Sequence, residues 1–287
     1  YRLSYQLLMR KKNISKLIQA LLSQSFLPDE IIISDGYSTD NTLNIISSFS
    51  INNKIIKVIN RNGKCRGSGR NEGIKAARNN LLALIDSGTI PDKDWLINFV
   101  KHLKQTEKLD LIYGSVFFKT KNIFDKKYAT SFIDKNKKHT NYLIPSVASM
   151  FIKRSTWEKV GGFTESKDGS YNAEDITFMN NINNFKFKVI YEKNAKTNWL
   201  INFSVTNIFK RFYEYSLGSL KAGYFKTWHK GLLRNISLFI FLIYLSFNIS
   251  YLFVIFLFFL FFLKSFTYLR HTDWYMESNL FNKLNYI

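Results

Sequence analysis

From Ile236 to Leu263, 24 of 28 consecutive residues are apolar or aromatic and none is charged. Such a run cannot stay in water, so it is either packed inside a domain or placed in a bilayer. A soluble core needs apolar residues on one helix face, whereas this run carries them on every face. One continuous helix would measure about 42 Å against about 30 Å of hydrocarbon. Ser246, Asn248 and Ser250 interrupt the run near its middle. A single tilted span and a re-entrant helical hairpin are both compatible with it, while two full spans do not fit. Just upstream, Lys210, Arg211, Lys221, Lys226, Lys230 and Arg234 stand against one acid, Glu214. Basic residues beside a membrane segment mark the cytoplasmic side and attract anionic headgroups. The pattern predicts a cell-membrane protein, bound to membrane lipids, with its larger N-terminal part on the cytoplasmic side.

That larger part alternates two hydrophobic periods. Leu3 to Leu8 reads as a strand, and Asn13 is placed to cap a helix whose Ile14, Leu17, Ile18, Leu21 and Leu22 recur at helical spacing. Ile31 to Ser34 is a short apolar strand ending in Asp35, and Ile55 to Asn60 is another. A Gly-rich turn is expected over Gly63 to Gly69 and a helix from about Arg70 to Asn79. Leu81 to Ile85 is apolar throughout, as a central parallel strand covered on both faces would be, and it ends in Asp86. Trp95, Leu96, Phe99, Val100 and Leu103 then mark an amphipathic helix. This βαβαβα order implies an α/β fold with a mostly parallel central sheet flanked by helices, and ligands at the carboxyl ends of the strands.

Composition narrows the chemistry. A single cysteine, Cys65, excludes an internal disulfide framework and a Cys-based zinc cluster. The four His residues, at 102, 139, 229 and 271, have no ligand spacing. The balance of 41 basic and 21 acidic residues, net +20, favours an anionic partner: nucleic acid, phospholipid or a phosphate-bearing substrate. No zinc, RRM-like or KH-like signature accompanies the charge, so nucleic acid is not the expected partner.

Asp35 and Asp86 close two strands whose ends open onto one sheet edge, which makes that edge the expected site. Each could instead cap the helix that follows. In Asp35-Gly-Tyr-Ser-Thr-Asp40-Asn-Thr, Ser38 or Asp40 can start the next helix while Asp35 faces a ligand. Glu174 and Asp175 open an expected helix over Ile176 to Ile182, where carboxylates also favour the helix dipole. Gly161 and Gly162 read either as a helix end or as an acceptor-side loop.

These segments together resemble the family 2 glycosyltransferases. The nucleotide-binding segment is matched by Ser34 to Thr42, and Gln24 precedes it in Leu-Leu-Ser-Gln-Ser. Gly69-Arg70-Asn71-Glu72-Gly73-Ile74 leads into the central strand, and Asp86-Ser87-Gly88 stands at the metal-motif position. Lys153 to Phe163 and Ala173-Glu174-Asp175 resemble the acceptor-side segments. The likeness covers roughly residues 1 to 235, with five motifs in order.

The resemblance implies a GT-A fold and sugar transfer from a nucleotide-diphosphate-sugar donor to a saccharide or lipid-linked acceptor, with inversion at the anomeric carbon. It implies Asp175, with Glu174, as the catalytic pair, Asp175 being the general base. It implies donor nucleotide binding by Asp35, Asp40, Arg70 and Asp86, with Asp35 on the nucleobase and Asp86 at the ribose and diphosphate. A Mg or Mn ion would be held by Asp86, the diphosphate and water. The usual metal motif is Asp-x-Asp, so one carboxylate is absent here, and Arg66 or Arg70 is the alternative source of positive charge. A His often found after the catalytic Asp is also absent, with Trp199 in the comparable stretch. The expected organisation is a catalytic domain over 1–205, a basic juxtamembrane segment over 206–235, a membrane-embedded helical segment over 236–269 and a tail over 270–287. A non-catalytic membrane scaffold that retains the fold and a basic nucleic-acid-binding protein are the alternatives.

Overall fold

The computed structural model describes residues 3–8, 13–36, 38–60, 65–105, 109–119, 147–166, 173–200, 204–223 and 225–270. Strands β1 (Leu3–Leu8), β2 (Glu30–Asp35), β3 (Ile56–Asn60) and β4 (Leu81–Asp86) alternate with helices α1 (Ile14–Leu22), α2 (Thr42–Asn52) and α3 (Arg66–Ala76). Next come β5 (Thr89–Pro91), α4 (Trp95–Gln105), β6 (Leu111–Phe118), β7 (Met150–Lys153), α5 (Arg154–Lys159), α6 (Glu174–Asn184) and β8 (Val189–Trp199). Three helices follow: α7 (Val205–Lys221), α8 (Phe225–Asn248) and α9 (Leu252–Arg270).

The strands join in one sheet of order β3-β2-β1-β4-β7-β6-β8-β5. The first four run parallel, as the βα alternation requires. Beyond β4 the sheet is mixed: β7 is antiparallel to β4 and β6, β8 is parallel to β6, and β5 is antiparallel to β8. Side chains alternate along a strand, so the apolar β4 can fill two cores at once. Ala83 and Ile85 join Leu17, Ile18 and Leu21 of α1 and Trp95 and Phe99 of α4. Leu82 and Leu84 join Ile74 of α3, Trp157 of α5, and Phe178 and Ile182 of α6 on the other side. The result is a three-layer α/β/α domain.

Local details depart from the expected pattern. Asn13 precedes α1 but its side chain makes no capping bond. The stretch expected as a Gly-rich turn is in part the first turn of α3, which begins at Arg66 and ends at Ala76. Gly161 and Gly162 have φ of 80° and 74°. Their N–H groups donate to Glu158 O and Trp157 O at 3.0 Å each, so they end α5, the helix-terminating role.

The apolar run is not one helix. The N–H groups of Ile249 and Ser250 both turn back to Leu245 O, at 2.8 and 3.2 Å, and α9 restarts with the Ser250 hydroxyl accepting from Leu252 N–H at 3.3 Å. The polar interruptions therefore split it into two helices that touch each other. Among the described residues no helix is long and apolar enough to cross a membrane, which corrects the expected membrane-crossing helix. The reason is length: Ile236 to Phe247 and Leu252 to Leu263 are each about 18 Å of uncharged helix, little more than half the hydrocarbon thickness. Phe239, Phe241, Tyr244, Phe247, Phe256, Phe258 and Phe262 stand exposed on these two arms. The segment 271–287 of the expected tail lies outside the described residues.

Candidate active site

Strands β2 and β4 flank β1 and end level with each other, since Leu8 is paired with both Ser34 and Asp86. Asp35 and Asp86 are thereby placed at one sheet edge, two strand spacings or about 10 Å apart along it. Their surroundings differ. Asp35 is fully buried, and its Oδ2 and Oδ1 accept from the Ser38 N–H and hydroxyl at 2.9 and 2.6 Å. This is the local turn an Asp forms with its own loop. Asp40 accepts from the Thr42 N–H at 2.9 Å and from the Thr42 hydroxyl, which serves the start of α2.

Asp86 is instead tied to distant chain. Arg70 of α3, 4% exposed, donates from Nη2 to Asp86 Oδ1 at 3.0 Å and from Nη1 to Glu174 Oε1 at 2.7 Å. Its guanidinium lies 5.3 Å from the centre of the Phe163 ring. Burial opposes the Arg70 charge, but Asp86, Glu174 and Asp175 outweigh burial and hold the proton more firmly than on an ordinary arginine.

The first turn of α3 is shaped for this reach. Cys65 Sγ accepts from the N–H groups of Ser68 and Ser166, both at 3.3 Å, and so ties the helix start to the chain after Phe163. A Cβ at Gly67 would lie 2.0 Å from Thr164 O, so only glycine allows this approach. Asn71 completes the brace. Its Oδ1 accepts from Phe163 N–H at 2.9 Å and Trp157 Nε1 at 3.1 Å, and its Nδ2 donates to Phe163 O at 2.8 Å. Gln24 has a similar task, donating to Asp92 O at 2.8 Å and accepting from Leu96 N–H at 3.0 Å. Gln24 and Asn71 thus act here as braces.

At the N-terminus of α6, Glu174 is 1% exposed and its Oε2 has no hydrogen-bond partner among the described residues. Asp175 beside it is half-buried, with Oδ1 accepting from Ile176 N–H at 2.8 Å. Burial first, then the neighbouring Glu174, raises the Asp175 carboxyl to about 6; Arg70, the Ile176 N–H and Arg66 pull the other way. A carboxylic group of that strength is suited to accept a proton near neutral pH.

Three residues at this edge were not assigned to it from sequence. Arg211, expected among the headgroup-facing cations, lies with its guanidinium 5.3 Å over the Trp199 ring, and its Nη1 is shut from solvent with no hydrogen-bond partner among the described residues. Trp199 stands against the Asp86-Ser87-Gly88 turn, its Nε1 3.2 Å from where a Gly88 Cβ would be. One turn beyond Arg211, burial pushes the Tyr215 phenol up; Arg211 and Arg66 counter this, while Asp175 and Asp86 add to it. Helix α7 thus lies along the same edge. The available signal was its period: Ile208, Arg211, Phe212 and Tyr215 are partly buried at helical spacing, whereas Phe209, Lys210 and Tyr213 are exposed.

Residues 8–199 match the family model described as Glycosyl transferase family 2, two-thirds of the chain. The chain belongs to glycosyl transferase family 2. It is 23% identical over 252 residues to a poly-beta-1,6-N-acetyl-D-glucosamine synthase of Staphylococcus epidermidis, covering 85% of this chain and 60% of that relative's length. It is 31% identical over 112 residues to the Escherichia coli UDP-Glc:alpha-D-GlcNAc-diphosphoundecaprenol beta-1,3-glucosyltransferase WfaP, covering 37% of this chain and 42% of that protein. Among solved structures, S. aureus TarS residues 1–349 in complex with UDP-GlcNAc superposes with a TM-score of 0.54 at 18% identity, over 71% of this chain and 60% of that one. The Pyrobaculum calidifontis mannosyltransferase PcManGT in complex with GDP-Man and Mn2+ gives 0.56 at 16% identity, over 77% and 64%. The α/β domain of this family 2 member is thus GT-A-like.

Proposed function

We propose that this chain transfers a sugar from a nucleotide-diphosphate-sugar to a saccharide or lipid-linked acceptor hydroxyl, with inversion. The observation that carries the reading is the cluster in which Arg70 joins Asp86 to Glu174 beside Asp175, in a chain that matches family 2 over residues 8–199. In the reaction Asp175 takes the acceptor's hydroxyl proton as that oxygen bonds to the anomeric carbon. The bond from that carbon to the diphosphate oxygen breaks on the opposite side, and the nucleoside diphosphate leaves with the electron pair. One displacement inverts the centre. A neutral hydroxyl is a poor nucleophile, which is why a positioned base is needed.

The donor class rests on the superposable enzymes, whose complexes hold UDP-GlcNAc and GDP-Man. Asp86 is the donor-side carboxylate, and Arg70 holds it in place. For Asp35 to meet a nucleobase, its bonds to Ser38 must be exchanged for bonds to ring N–H groups. Among the described residues no three His, Cys, Asp or Glu side chains form a metal cluster. The donor set still suits Mg or Mn, because such an ion can take one carboxylate, here the 28%-exposed Asp86, and fill its shell with phosphate oxygens and water. Bound there, the ion would stabilise charge on the departing diphosphate.

The same reading places the chain at the cytoplasmic face of the cell membrane. Arms of about 18 Å suit a hairpin seated in one leaflet, with exposed Lys210, Lys221 and Arg234 toward headgroups. In that arrangement the exposed aromatic side chains of α8 and α9 meet lipid.

The test uses full-length protein in lipid nanodiscs with UDP-GlcNAc, UDP-Glc or GDP-Man, with and without Mn or Mg, following nucleoside diphosphate release. One donor is expected to be consumed. Asp175→Asn is expected to lower turnover by about 100-fold or more while nucleotide binding persists. Turnover within threefold of wild type would reject Asp175 as the base, and absence of release from every nucleotide sugar would reject the reading.

A further inference from the structure

Trp199 is fixed by both of its neighbouring strands. It pairs with Thr89 of β5 and Phe118 of β6, and its ring stacks on Phe118 with centres 5.7 Å apart. The next residue, Leu200, donates its N–H to Gly88 O at 2.8 Å. The indole thus fills the space beside the Asp86-Ser87-Gly88 turn that a side chain at 88 would need, since a Cβ there would press on Nε1 at 3.2 Å. Where the resemblance implies a second carboxylate, a fixed aromatic ring stands instead. Arg211 lies over that ring, its guanidinium 5.3 Å from the ring centre. A guanidinium stacked on an indole is held in direction as well as position. Its charge is unanswered. Arg211 is half-buried with Nη1 closed to solvent, and among the described residues it makes no ion pair and Nη1 has no hydrogen-bond partner. The other two arginines of this edge differ. Arg70 has both Nη atoms on carboxylates, those of Asp86 and Glu174, and Arg66 has the same two acids as neighbours.

We propose that Arg211, carried on the Trp199 platform, binds the diphosphate of the nucleotide-sugar donor through its terminal phosphate. This rests on the reading of the chain as a nucleotide-sugar transferase. A half-buried guanidinium with no counter-ion is costly in the empty site, and an anion that meets it removes that cost. A saccharide hydroxyl carries no such charge; a diphosphate does, and arginine matches phosphate oxygens with paired N–H groups. A phosphate on the acceptor side is disfavoured by place, because the platform is joined to the turn that begins at Asp86, the donor-side carboxylate. The direction of α7 selects the phosphate. Tyr215, one turn beyond Arg211, has Arg66, Asp86 and Asp175 among its charged neighbours, so α7 runs from the donor turn toward the base. The phosphate nearest the base is the one bonded to the sugar. When the bond from the anomeric carbon to the diphosphate oxygen breaks, the electron pair stays on that phosphate. A guanidinium already aimed there stabilises the new charge without rearranging.

The experiment reads binding rather than turnover. Full-length protein in lipid nanodiscs, with Mn present, is titrated calorimetrically with UDP, UMP, GDP and GMP. Wild type is expected to bind the diphosphate of one base. Arg211→Met keeps an unbranched stem against Trp199 and removes the charge. It is expected to weaken the nucleoside diphosphate by about 10-fold or more, and the monophosphate of the same base by less than about threefold. Its melting temperature without ligand is expected to equal or exceed that of wild type, because an unpartnered guanidinium leaves a half-buried place. Diphosphate affinity equal to wild type would overturn the proposal. So would an equal loss for diphosphate and monophosphate, which is what an arginine that only supports the fold would give. If Arg211→Met fails to fold, Arg211→Gln, which keeps a planar group on the indole, is read by the same criterion. The two readings fail differently. A wild type that binds neither UDP nor GDP sinks the donor class and this assignment together, whereas wild-type binding that the Arg211 variants leave unmoved sinks the assignment alone.

Discussion

The donor edge carries two kinds of aspartate. Asp35 and Asp40 accept hydrogen bonds from within three residues of themselves, from Ser38 and Thr42. Asp86, Glu174 and Asp175 belong to a cluster assembled from three elements, in which Arg70 reaches a partner 104 residues away. The first pair shapes a loop and starts a helix; the second set creates a perturbed acid. Proximity to a strand end does not distinguish them. What distinguishes them is that Asp86 and Glu174 are joined by one arginine from distant chain, with Asp175 beside it, whereas Asp35 and Asp40 accept from their own loop.

The comparison predicts a graded series of losses. Arg70→Met leaves the buried Glu174 carboxylate without its partner and should cost about 3 to 5 kcal/mol in urea unfolding, with recovery in the Arg70→Met/Glu174→Leu double variant. A loss below about 1 kcal/mol, the scale of an exposed pair, would erase the contrast between the two groups.

Next is Asp175, where the sign reverses. Its folded pKa is about 6 against an ordinary 3.8, so the native state holds this proton more tightly than the unfolded chain. Stability from this group is therefore present at low pH and declines as pH rises toward and through 6. Asp175→Asn should raise stability at pH 8 by up to about 3 kcal/mol and by much less at pH 4. Equal stability of variant and wild type at both pH values would show that the carboxyl is unperturbed.

Asp35→Ala is smaller. It removes both acceptors of the Ser38 loop and should cost about 2 kcal/mol of stability, and nucleotide affinity should fall with it. Calorimetric binding equal to wild type would leave Asp35 with the loop alone. Asp40→Ala should cost about 1 kcal/mol, the scale of a lost helix cap, without change in nucleotide affinity. Weakened binding at unchanged stability would move Asp40 into the second group.

How much was legible follows from the same division between local and distant. The runs ending in Asp35 and Asp86, and the helical period of α1 and α4, are local signals, and the parallel half of the sheet follows from them. The mixed half does not. Strand β5 has three residues and contains Pro91, and β8 reads Val-Ile-Tyr-Glu-Lys-Asn-Ala-Lys-Thr-Asn-Trp, polar enough to resemble a loop. Its partner β6 lies some 70 residues earlier, beyond the reach of any periodic pattern. At the site, family resemblance singled out Arg70, Asp86, Glu174 and Asp175, but nothing in the sequence says that one arginine joins them. The glycines before Arg70 suggested a turn because their use, a close approach to Thr164, depends on chain 97 residues downstream. Arg211 was counted as a surface cation on charge alone, although the spacing of Ile208, Arg211 and Tyr215 already put it on the inward face.

The Arg70 to Glu174 contact also has a meaning in time. A ribosome adds about 5 to 20 residues per second, so roughly 5 to 20 seconds separate the synthesis of Arg70 from that of its partner. During that interval β1 to β4 can pair as a nascent parallel sheet, but the arginine has only Asp86 for company and stays hydrated. The pocket closes when α6 emerges and its first turn docks. A chain interrupted between these points would hold the beginnings of the donor edge with no base and an unsealed core, a species for chaperones rather than a slow enzyme.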